Sequence, residues 1–531
     1  MKRIIPIPTD LNIEKFSGAQ IDRMSSYIEN GIIDEYPEGK KYVTQRPSFT
    51  TTLDASVAGY STRGRGIHRW RRANATYSVN YQTVYKDTTV CTKPAAAALE
   101  LTASANRVYF AELGDDLGLL EVAGNKFWFC DDGTTTIFTE VTGEAFNSSK
   151  TLADGIAVLD NTLYLLANDD ASTLAYIYGC DLGNMTAWES TNFVTAYKNS
   201  DRGVYIGTHH NNVFVLGNES CEFFYNAANP LPGSPLGARQ DVSYNIGCAD
   251  GKSVFIDNDE VFFVGKSTTS GIGVFKLSNF QIEKISPPSL DSYLTTAIVN
   301  GGVSVMGSGL FAGGRTFYVM TLYENTSNTV IAAETLVYNT RSKTWTFWEH
   351  SAEGIDEFPL VAFTKSNDVS GTYKTTGKGI LSNGDIIECY DDFFPQDRTS
   401  GVLVFAALSN VADTGLAIFA DDVFEDISAT GDQIEMKVRV GHIDFDTRNR
   451  KFMHELRPVC DQSEEAQTLY VKYADDNHEV FTLERELNLA NANDKLTRLG
   501  QFRSRTFEIR YAGDEMLRLN GLEVEVVGAG V

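Results

Sequence analysis

Short apolar runs separated by turn residues are the feature that most constrains the fold of this chain. Between residues 202 and 265, the runs VYIG, VFVLG, CEFFY, SVFI and EVFFVG alternate with clusters of Asn, Asp, Gly and Ser. This is the pattern of short antiparallel strands joined by tight turns, and it predicts one four-stranded meander over residues 202–265. Residues 155–190 and 314–350 repeat it, and such units start roughly 50 to 60 residues apart, a spacing typical of large propeller blades. The sequence therefore predicts an all-β chain with a β-propeller as its main body.

The 531 residues are too many for one ordinary hydrophobic core, so several domains are expected. Residues 61–395 have room for about six or seven blades. Residues 396–531 contain runs such as LRLNGLEVEVV that alternate apolar and charged positions, which predicts a C-terminal β-sandwich-like domain. Residues 1–60 are predicted to be an extended N-terminal segment, with a short helix over Gln20–Asn30.

Two stretches are candidate interfaces. Between residues 226 and 239, prolines and glycines stop strand pairing and force the chain out of the sheet. The candidate contact residues there are Pro230, Pro232, Pro235 and Arg239. The stretch RGRGIHRWRR concentrates basic charge in an acidic chain, with Arg63, Arg65, Arg69, Arg71 and Arg72. It is either an exposed first strand with Trp70 packed inward, or a contact with an acidic partner ring or with DNA.

Charge and cysteine content exclude several classes of protein. The formal net charge of -25 disfavours a protein that grips a phosphate backbone, because such binding depends on Lys and Arg. The seven cysteines are widely spread without a CxxC pair, which favours buried free thiols in a reducing cytoplasm. Pro6, Pro8 and Asp10 interrupt any signal-peptide core, and no apolar stretch approaches bilayer length. We expect a soluble chain without membrane insertion, not exported by the general secretory route.

No constellation of catalytic residues emerges from the sequence. It has no P-loop, GxSxG, HExxH or EF-hand motif. His209-His210 is interpreted as a plain exposed turn rather than a metal or catalytic pair. Glu222 lacks a second carboxylate that sequence can place beside it. The sequence therefore predicts a protein that is not an enzyme and has no catalytic residue, metal site or cofactor.

The segment Gly217–Gly265, GNESCEFFYNAANPLPGSPLGARQDVSYNIGCADGKSVFIDNDEVFFVG, resembles the tail hub proteins of short-tailed bacteriophages, also called nozzle or packaged-DNA stabilisation proteins. In that family a strand ending in an aromatic residue and Asn-Ala precedes a Pro-rich loop, an Arg, an Ile-Gly-Cys turn and a final apolar-Gly strand. The matching positions are Glu222, Phe223, Tyr225, Asn226, Ala227, Arg239, Ile246, Gly247, Cys248, Ser253, Val254, Phe262 and Gly265.

Two further segments carry the same resemblance. RLGQFRSRTFEIRY (Arg498–Tyr511) with the following LNGLEVEV is similar to the family's closing strands. TQRPSFTT (Thr44–Thr51) is similar to its N-terminal motif, except that Ser48 stands where the family often has Gly. The resemblance thus spans most of the chain in the same order.

The resemblance implies a structural protein of the virion tail that is folded and assembled in the host cytoplasm. It implies a homohexamer that forms a ring below the portal-adaptor ring and supports a tail needle or fibres. It also implies that double-stranded DNA passes through this ring without specific binding during ejection. Packaged DNA would then be retained mechanically.

Two other functions fit a propeller with a β-sandwich. One is a carbohydrate-binding or carbohydrate-degrading tail propeller, in which exposed aromatic residues such as Trp345 and Trp348 stack on sugars, although packing in the core is the competing interpretation of both residues. The other is a host-side interaction scaffold. Glycan binding would distinguish the first from a hub, and the neighbouring genes would distinguish the second.

Overall fold

The computed structural model of the protein consists mostly of antiparallel strands, as predicted. It describes residues 2–8, 26–46, 48–51, 64–349, 360–366, 377–380, 386–389, 401–406, 416–420, 424 and 433–528, with gaps at 71, 74, 81, 88, 105, 147–148, 171–173, 197, 199–200, 231, 258, 268, 270, 301, 313–314, 327–328, 464 and 477–479. No helix in these residues is long and apolar enough to span a membrane.

Five strands precede the first blade: β1 (Lys2–Pro6), β2 (Tyr27–Glu29), β3 (Gly31–Glu35), β4 (Lys41–Gln45) and β5 (Ser48–Thr51). Blade 1 contains β6 (Gly64–Trp70), β7 (Ala75–Asn80), β8 (Thr83–Lys86) and β9 (Thr89–Val90). Blade 2 contains β10 (Val108–Leu113), β11 (Asp116–Glu121), β12 (Lys126–Cys130) and β13 (Thr139–Val141). Blade 3 contains β14 (Lys150–Leu152), β15 (Ala157–Leu159), β16 (Thr162–Asp169), β17 (Ala175–Gly179) and β18 (Phe193–Ala196).

Three more blades follow in chain order. Blade 4 contains β19 (Gly203–His209), β20 (Asn212–Gly217), β21 (Cys221–Asn226) and β22 (Leu236–Tyr244). Blade 5 contains β23 (Ile246–Cys248), β24 (Phe255–Asp257), β25 (Glu260–Ser267), β26 (Gly271–Ser278) and β27 (Gln281–Lys284), and is followed by the helix α1 (Pro288–Thr295) and a π-helical turn (Thr296–Asn300). Blade 6 contains β28 (Ser304–Ala312), β29 (Arg315–Thr326), β30 (Thr329–Asn339) and β31 (Thr344–Trp348).

A seventh sheet closes the ring with a strand from the N-terminal part of the chain. The sheet contains β32 (Leu360–Ser366), β35 (Gly401–Ala406) and β36 (Leu416–Ala420). A separate hairpin of β33 (Gly377–Ile380) and β34 (Ile386–Cys389) lies between β32 and β35 in the chain. The strand order is β32-β35-β36-β5, and β32 contacts both β28 and β6. The described residues thus contain seven blades. Residue 395, the predicted domain boundary, lies outside the described residues, between β34 of the separate hairpin and β35 of the seventh sheet in chain order.

The propeller core lies in layers between neighbouring blades. One apolar cluster joins Trp70 and Tyr77 of blade 1 to Leu119 and Trp128 of blade 2, and similar clusters join blades 2 and 3, 3 and 4, 4 and 5, and 5 and 6. A blade is therefore buried on both faces, and its inner strands are continuous apolar runs. Every residue of β20 is buried, for example.

The stretch 202–265, predicted to be one four-stranded meander, spans two blades. Its first three runs are β19, β20 and β21, but SVFI and EVFFVG correspond to strands of blade 5. The fourth strand of blade 4 is Leu236–Tyr244, whose residues are mostly half-buried or exposed because it is the outer edge of the blade. An outer strand needs no apolar run, and so the sequence pattern missed it.

The C-terminal strands form a sandwich together with the N-terminal ones. They are β37 (Met436–Ile443), β38 (Lys451–Cys460), β39 (Thr468–Asp475), β40 (Arg485–Asn488), β41 (Leu496–Thr497), β42 (Gln501–Phe502), β43 (Arg505–Tyr511) and β44 (Leu519–Gly528). One sheet contains β1, β3, β4, β44, β38, β41 and β42; the other contains β2, β37, β43, β39 and β40. Leu522, Val524 and Val526 are buried, as the alternating pattern predicts.

Strand β2 joins the sandwich to the propeller. It lies between β31 of blade 6 and β37 of the sandwich, so that blade 6 continues without a break into the second sandwich sheet. The short helix predicted over Gln20–Asn30 is wrong where the structure describes it, since Tyr27–Glu29 is a strand. Pairing with two distant strands, which buries Ile28, overrides the local helical spacing.

Asn30 fastens this junction. It is 2% exposed and has a positive φ of 52°, a conformation that Asn tolerates better than most residues. Its Oδ1 accepts hydrogen bonds from Arg46 Nε and from the Glu349 amide, both at 2.8 Å. Its Nδ2 donates to the Glu435 carbonyl at 3.2 Å. One side chain therefore connects the end of blade 6, the sandwich and a fully buried arginine.

We expect Asn30→Ala to lower the free energy of unfolding by about 3 kcal/mol, because it removes all three hydrogen bonds of the Asn30 side chain, one of them to a charged donor. Urea denaturation of the purified chain measures the change. Asn449→Ala is the matched control at an exposed asparagine. A loss below about 1 kcal/mol would show that the junction does not depend on this side chain.

Candidate interaction surfaces

The basic stretch is largely built into blades 1 and 2. Trp70 is fully buried, as one of the two predicted interpretations requires. Arg65 is 1% exposed, and its guanidinium donates to the carbonyls of Asn106 at 2.7 Å and Thr102 at 3.0 Å. Arg65 therefore supports the loop that leads into β10 from within the protein.

The remaining arginines of this stretch differ in exposure. Arg69 is half-buried and donates to Thr76 Oγ1 at 3.4 Å. Arg72 is exposed and lies 3.2 Å from Asp132 Oδ2 and 3.6 Å from Asp115 Oδ1. Arg63 and Arg71 lie outside the described residues. In the described part of the stretch, the outermost guanidinium is thus balanced by two neighbouring carboxylates.

The Pro-rich loop connects β21 to β22, between two strands of blade 4. The Ala227 amide donates to the Pro235 carbonyl at 2.9 Å, and Asn229 Nδ2 donates to the Leu236 carbonyl at 3.1 Å. These bonds hold the loop in shape. Pro230 and Pro232 are exposed and Pro235 is half-buried, so the loop presents an apolar rim to solvent.

Arg239 lies on β22, apart from the prolines of the loop. Its guanidinium pairs with Asp241 at 2.6 Å and lies 4.5 Å from the centre of the Phe280 ring. The hydrogen bond from Arg239 lowers the pKa of the Asp241 carboxyl. The arginine is thereby oriented toward blade 5.

A groove of about 750 Å³ lies between blades 3 and 4, beneath the Pro-rich loop. We call it the inter-blade groove. Its walls come from the β15–β16 turn, the connection between β17 and β18, and the loop itself. Its lining includes Asp160, Asp181, Leu182, Glu189, Asn192 and Pro232. Asn226 Nδ2 donates to Asp160 Oδ2 at 2.8 Å across the two blades. The loop was predicted from the sequence, whereas the groove was not.

The interpretation of His209-His210 as an exposed turn is wrong for His209. The turn is His210-Asn211, both with positive φ, and His209 ends β19 at 1% exposure. Its Nε2 accepts the Phe280 amide at 3.1 Å. Burial, and then the charge of His210, lowers the pKa of His209 to about 4. The residue is a buried neutral imidazole because the Phe223 and Phe280 rings pack against it.

A charged cluster crosses the centre of the propeller. We call Arg107, Asp154, Asp250 and Lys252 the central charged cluster. Arg107 of blade 2 donates to the carbonyls of Gly307 in blade 6 and of Lys252 in blade 5. Since blades 2 and 6 are not neighbours in the ring, this side chain spans the central opening.

The two carboxylates of this cluster have different partners. Asp250 accepts hydrogen bonds from the amides of Lys252 at 3.1 Å and Val305 at 3.0 Å. Burial, and then the charge of Asp250, raises the pKa of Asp154 to about 7, while Lys252 and Arg107 partly oppose the shift. Each member comes from the segment that leads into an inner strand. Charged residues at corresponding positions before the inner strands of several blades were the sequence signal from which the cluster could have been predicted.

Other side chains with chemical potential are buried in the described part of the chain. Trp345 and Trp348 are 5% and 0% exposed, so core packing, one of their two predicted interpretations, is confirmed. Six cysteines in the described ranges are free thiols, five of them buried, and burial raises the pKa of Cys91 and Cys130 to about 12. Among the described residues no three His, Cys, Asp or Glu side chains are grouped to hold a metal ion.

Comparison with known proteins identifies one family. Residues 19–372, two thirds of the chain, match the phage-stabilisation family model described as "Bacteriophage P22 Gp10, beta-propeller". No curated protein sequence matches the chain.

Solved structures show remote likenesses. An exo-β-1,3-galactanase from Phanerochaete chrysosporium is 8% identical with a TM-score of 0.28, covering 82% of this chain and 98% of its own. BamB from Moraxella catarrhalis is 12% identical with a TM-score of 0.32, covering 73% and 93%. Scores this low carry no argument about function.

We expect Asp154→Asn to stabilise the protein more at pH 8 than at pH 5. An aspartate whose folded pKa is raised from 3.8 to about 7 contributes stability below pH 4 that is lost as the pH rises through 7, and an amide does not titrate. The difference between variant and parent should grow by about 2 kcal/mol over this interval.

Urea denaturation at both pH values measures that difference, with Asp461→Asn as the control at an exposed carboxyl. A difference that stays constant with pH would contradict the assignment of Asp154 as the titrating group of the central charged cluster.

Proposed function

The chain belongs to the family of the bacteriophage P22 Gp10 β-propeller, tail proteins that stabilise packaged DNA in podoviruses, and we propose that it forms the tail hub, or nozzle, of a short-tailed phage. In this proposal six copies form a ring below the portal-adaptor ring. The ring extends the DNA exit channel, retains packaged DNA and supports a needle or fibres. The family match over residues 19–372 is the observation that carries the proposal.

The construction of the chain suits a structural protein that must withstand mechanical force. Blade 6 and the sandwich share one continuous sheet through β2, and Asn30 fastens the two with buried hydrogen bonds. Propeller and sandwich are thereby held in one orientation. A ring that resists the pressure of packaged DNA requires such subunits, and it requires no covalent chemistry from them.

The distribution of charge supports passage of DNA rather than binding. Each copy has a net charge of -25, and the described basic stretch offers little free positive charge, since Arg65 is buried and Arg72 is paired. A channel lined by such subunits repels the phosphate backbone and lets the duplex slide. Packaged DNA is then retained mechanically, by the ring and by the component that closes its channel.

The contacts of the ring are proposed at the two stretches singled out in the sequence. Pro230 and Pro232 form an exposed apolar rim, and Arg72 lies at an exposed corner between blades 1 and 2. Arg63 and Arg71 belong to the same proposed contact. The carbohydrate-binding alternative named Trp345 and Trp348 as residues that stack on sugars. Both are buried, so neither presents a ring face to a sugar.

We expect purified virions of the source phage to contain six copies of this chain per particle, because the proposed ring is a homohexamer. Quantitative mass spectrometry, with the portal protein as the internal standard, measures the number. Native mass spectrometry of the purified chain with its adaptor tests the ring directly. Absence from the particle would remove the hub proposal, and a stoichiometry other than six would remove the hexamer.

We expect the purified chain to bind double-stranded DNA with a dissociation constant above about 100 µM at physiological salt, because its net charge of -25 repels the phosphate backbone. Fluorescence anisotropy of a labelled duplex is the measurement. The double variant Asp115→Lys/Asp132→Lys, which adds charge around Arg72, is the control and should bind measurably at low salt. Tight, salt-dependent binding by the parent chain would contradict passive passage.

A further inference from the structure

Four exposed arginines lie at one end of the sandwich, and none of them forms an ion pair in the described part of the chain. They are Arg448, Arg450, Arg498 and Arg503. Two carboxylates near these loops have other partners, since Asp446 pairs with Arg3 and Asp475 pairs with Arg505. In a chain with a net charge of -25, exposed guanidinium groups without a carboxylate partner attract an acidic surface of another molecule.

Strand pairing places Arg450 and Arg503 side by side. Lys451 of β38 and Phe502 of β42 are partners in the antiparallel ladder, and both are buried. The next residue outward is Arg450 on one strand and Arg503 on the other, so the two backbones lie opposite each other there. Since side chains alternate between the faces of a sheet, both arginines belong to the exposed face.

Arg448 and Arg498 lie on the two loops that flank this pair. Arg448 belongs to the loop between β37 and β38, two residues before Arg450. The loop that contains Arg498 lies beside β38, because the Met453 amide donates to the Gly500 carbonyl at 3.2 Å. The four arginines therefore surround the start of one strand, β38.

An apolar pair continues the same exposed face. Phe452 of β38 and Val527 of β44 are opposite each other and are 43% and 44% exposed. The next residues on these strands, Met453 and Val526, are buried in the sandwich core on the other face. Aromatic residues and arginine are enriched at protein interfaces. We call the following residues the sandwich patch: Arg448, Arg450, Phe452, Arg498, Arg503 and Val527.

The composition of the sandwich patch fits a protein surface better than DNA. A phosphate backbone binds guanidinium groups but offers Phe452 and Val527 no apolar surface to pack against. A protein interface combines an apolar centre with a polar rim. A second copy of this chain supplies the acidic protein surface, because each copy has a net charge of -25.

Charge excludes a two-fold contact between two sandwich patches. A two-fold interface brings the same surface of both copies together, so four arginines would face four arginines, and such like-charge contacts are unfavourable. The contact is therefore head to tail, between the patch of one copy and a different, acidic surface of the next. Head-to-tail contacts form a ring when the rotation between subunits closes.

We propose that the sandwich patch binds an acidic surface of a second copy of this chain, as a contact between neighbouring subunits of the ring. Phe452 and Val527 form its apolar centre, and the arginines pair with carboxylates of the neighbour. The inference rests on the hub proposal and adds a contact on the sandwich to those proposed on the propeller.

The first test introduces the photoreactive residue p-benzoylphenylalanine at position 452 of the full-length chain and irradiates purified virions. We expect a product of twice the chain mass on a denaturing gel, because the patch faces a second copy. Peptide mass spectrometry of this product should find position 452 joined to an acidic peptide of the same chain. Virions kept in the dark are the control. This test changes no charge and keeps an aromatic residue at an exposed position.

The second test reverses charge at the two arginines that lie opposite each other. Arg450→Glu/Arg503→Glu should raise the concentration needed for ring formation with the adaptor at least about tenfold, because like charges then meet across the contact. Native mass spectrometry measures ring formation. Arg341→Glu/Lys343→Glu makes the same charge change at exposed positions on the β30–β31 turn and should assemble like the parent. Melting temperatures of both variants should stay within a few degrees of the parent.

Several outcomes would overturn the proposal. Cross-linking of position 452 to packaged DNA or to another virion protein would show a different partner. The lack of any cross-linked product in virions that contain the chain would show that the patch is not an interface, as would equal assembly of the two charge-reversed variants. These results leave the hub proposal intact, whereas absence of the chain from the particle would overturn both.

Discussion

The hydrogen bonds of Asn30 are the constraint on which the relative placement of the two halves depends. Strand β2 is only three residues long, too short to fix an orientation by its ladder alone. Asn30 adds side-chain bonds to both neighbours directly after it, to Glu349 at the end of blade 6 and to Glu435 before β37. Arg46 is buried at the same point and is bound to Asn30 Oδ1. Hydrogen bonds are directional, whereas apolar contacts allow two surfaces to shift against each other. The charged and polar groups of the junction therefore fix how the two halves are oriented.

Local pattern predicted the two architectures because they bury their strands differently. Blade strands are covered on both faces by neighbouring blades, so the inner ones are unbroken apolar runs such as VFVLG. Sandwich strands are covered on one face, so Glu523 and Glu525 alternate with Leu522, Val524 and Val526. The same contrast explains the main error within the propeller. The outer strand Leu236–Tyr244 has little buried surface, and its polar sequence gave no signal of a strand.

Pairings between distant parts of the chain were not predictable from one sequence. The seventh blade takes its outer strand from Ser48–Thr51, and the sandwich takes β2 from a stretch with helical spacing. Neither pairing leaves a local pattern, since the partner lies hundreds of residues away. The candidate sites follow the same rule. The Pro-rich loop was predictable because proline acts locally, whereas the inter-blade groove needs residues 160, 181, 192 and 226 together. The burial of His209 likewise depends in part on Phe280 of the next blade.

The carboxylates of the propeller are of two kinds: some face basic residues within the chain, and others face solvent. Asp154 and Asp160 lie just before and just after the same strand, β15, at its opposite ends. At the first end the carboxylates face Arg107 and Lys252, and the raised pKa of Asp154 reflects a carboxyl that the fold holds partly desolvated. At the other end Asp181 and Glu189 face solvent across a groove without a basic residue in its described lining. Charges of the first kind are satisfied within the chain and join its blades. Charges of the second kind lie beside a groove whose described lining contains no basic residue, so Asp181 and Glu189 add to the acidic surface of the chain.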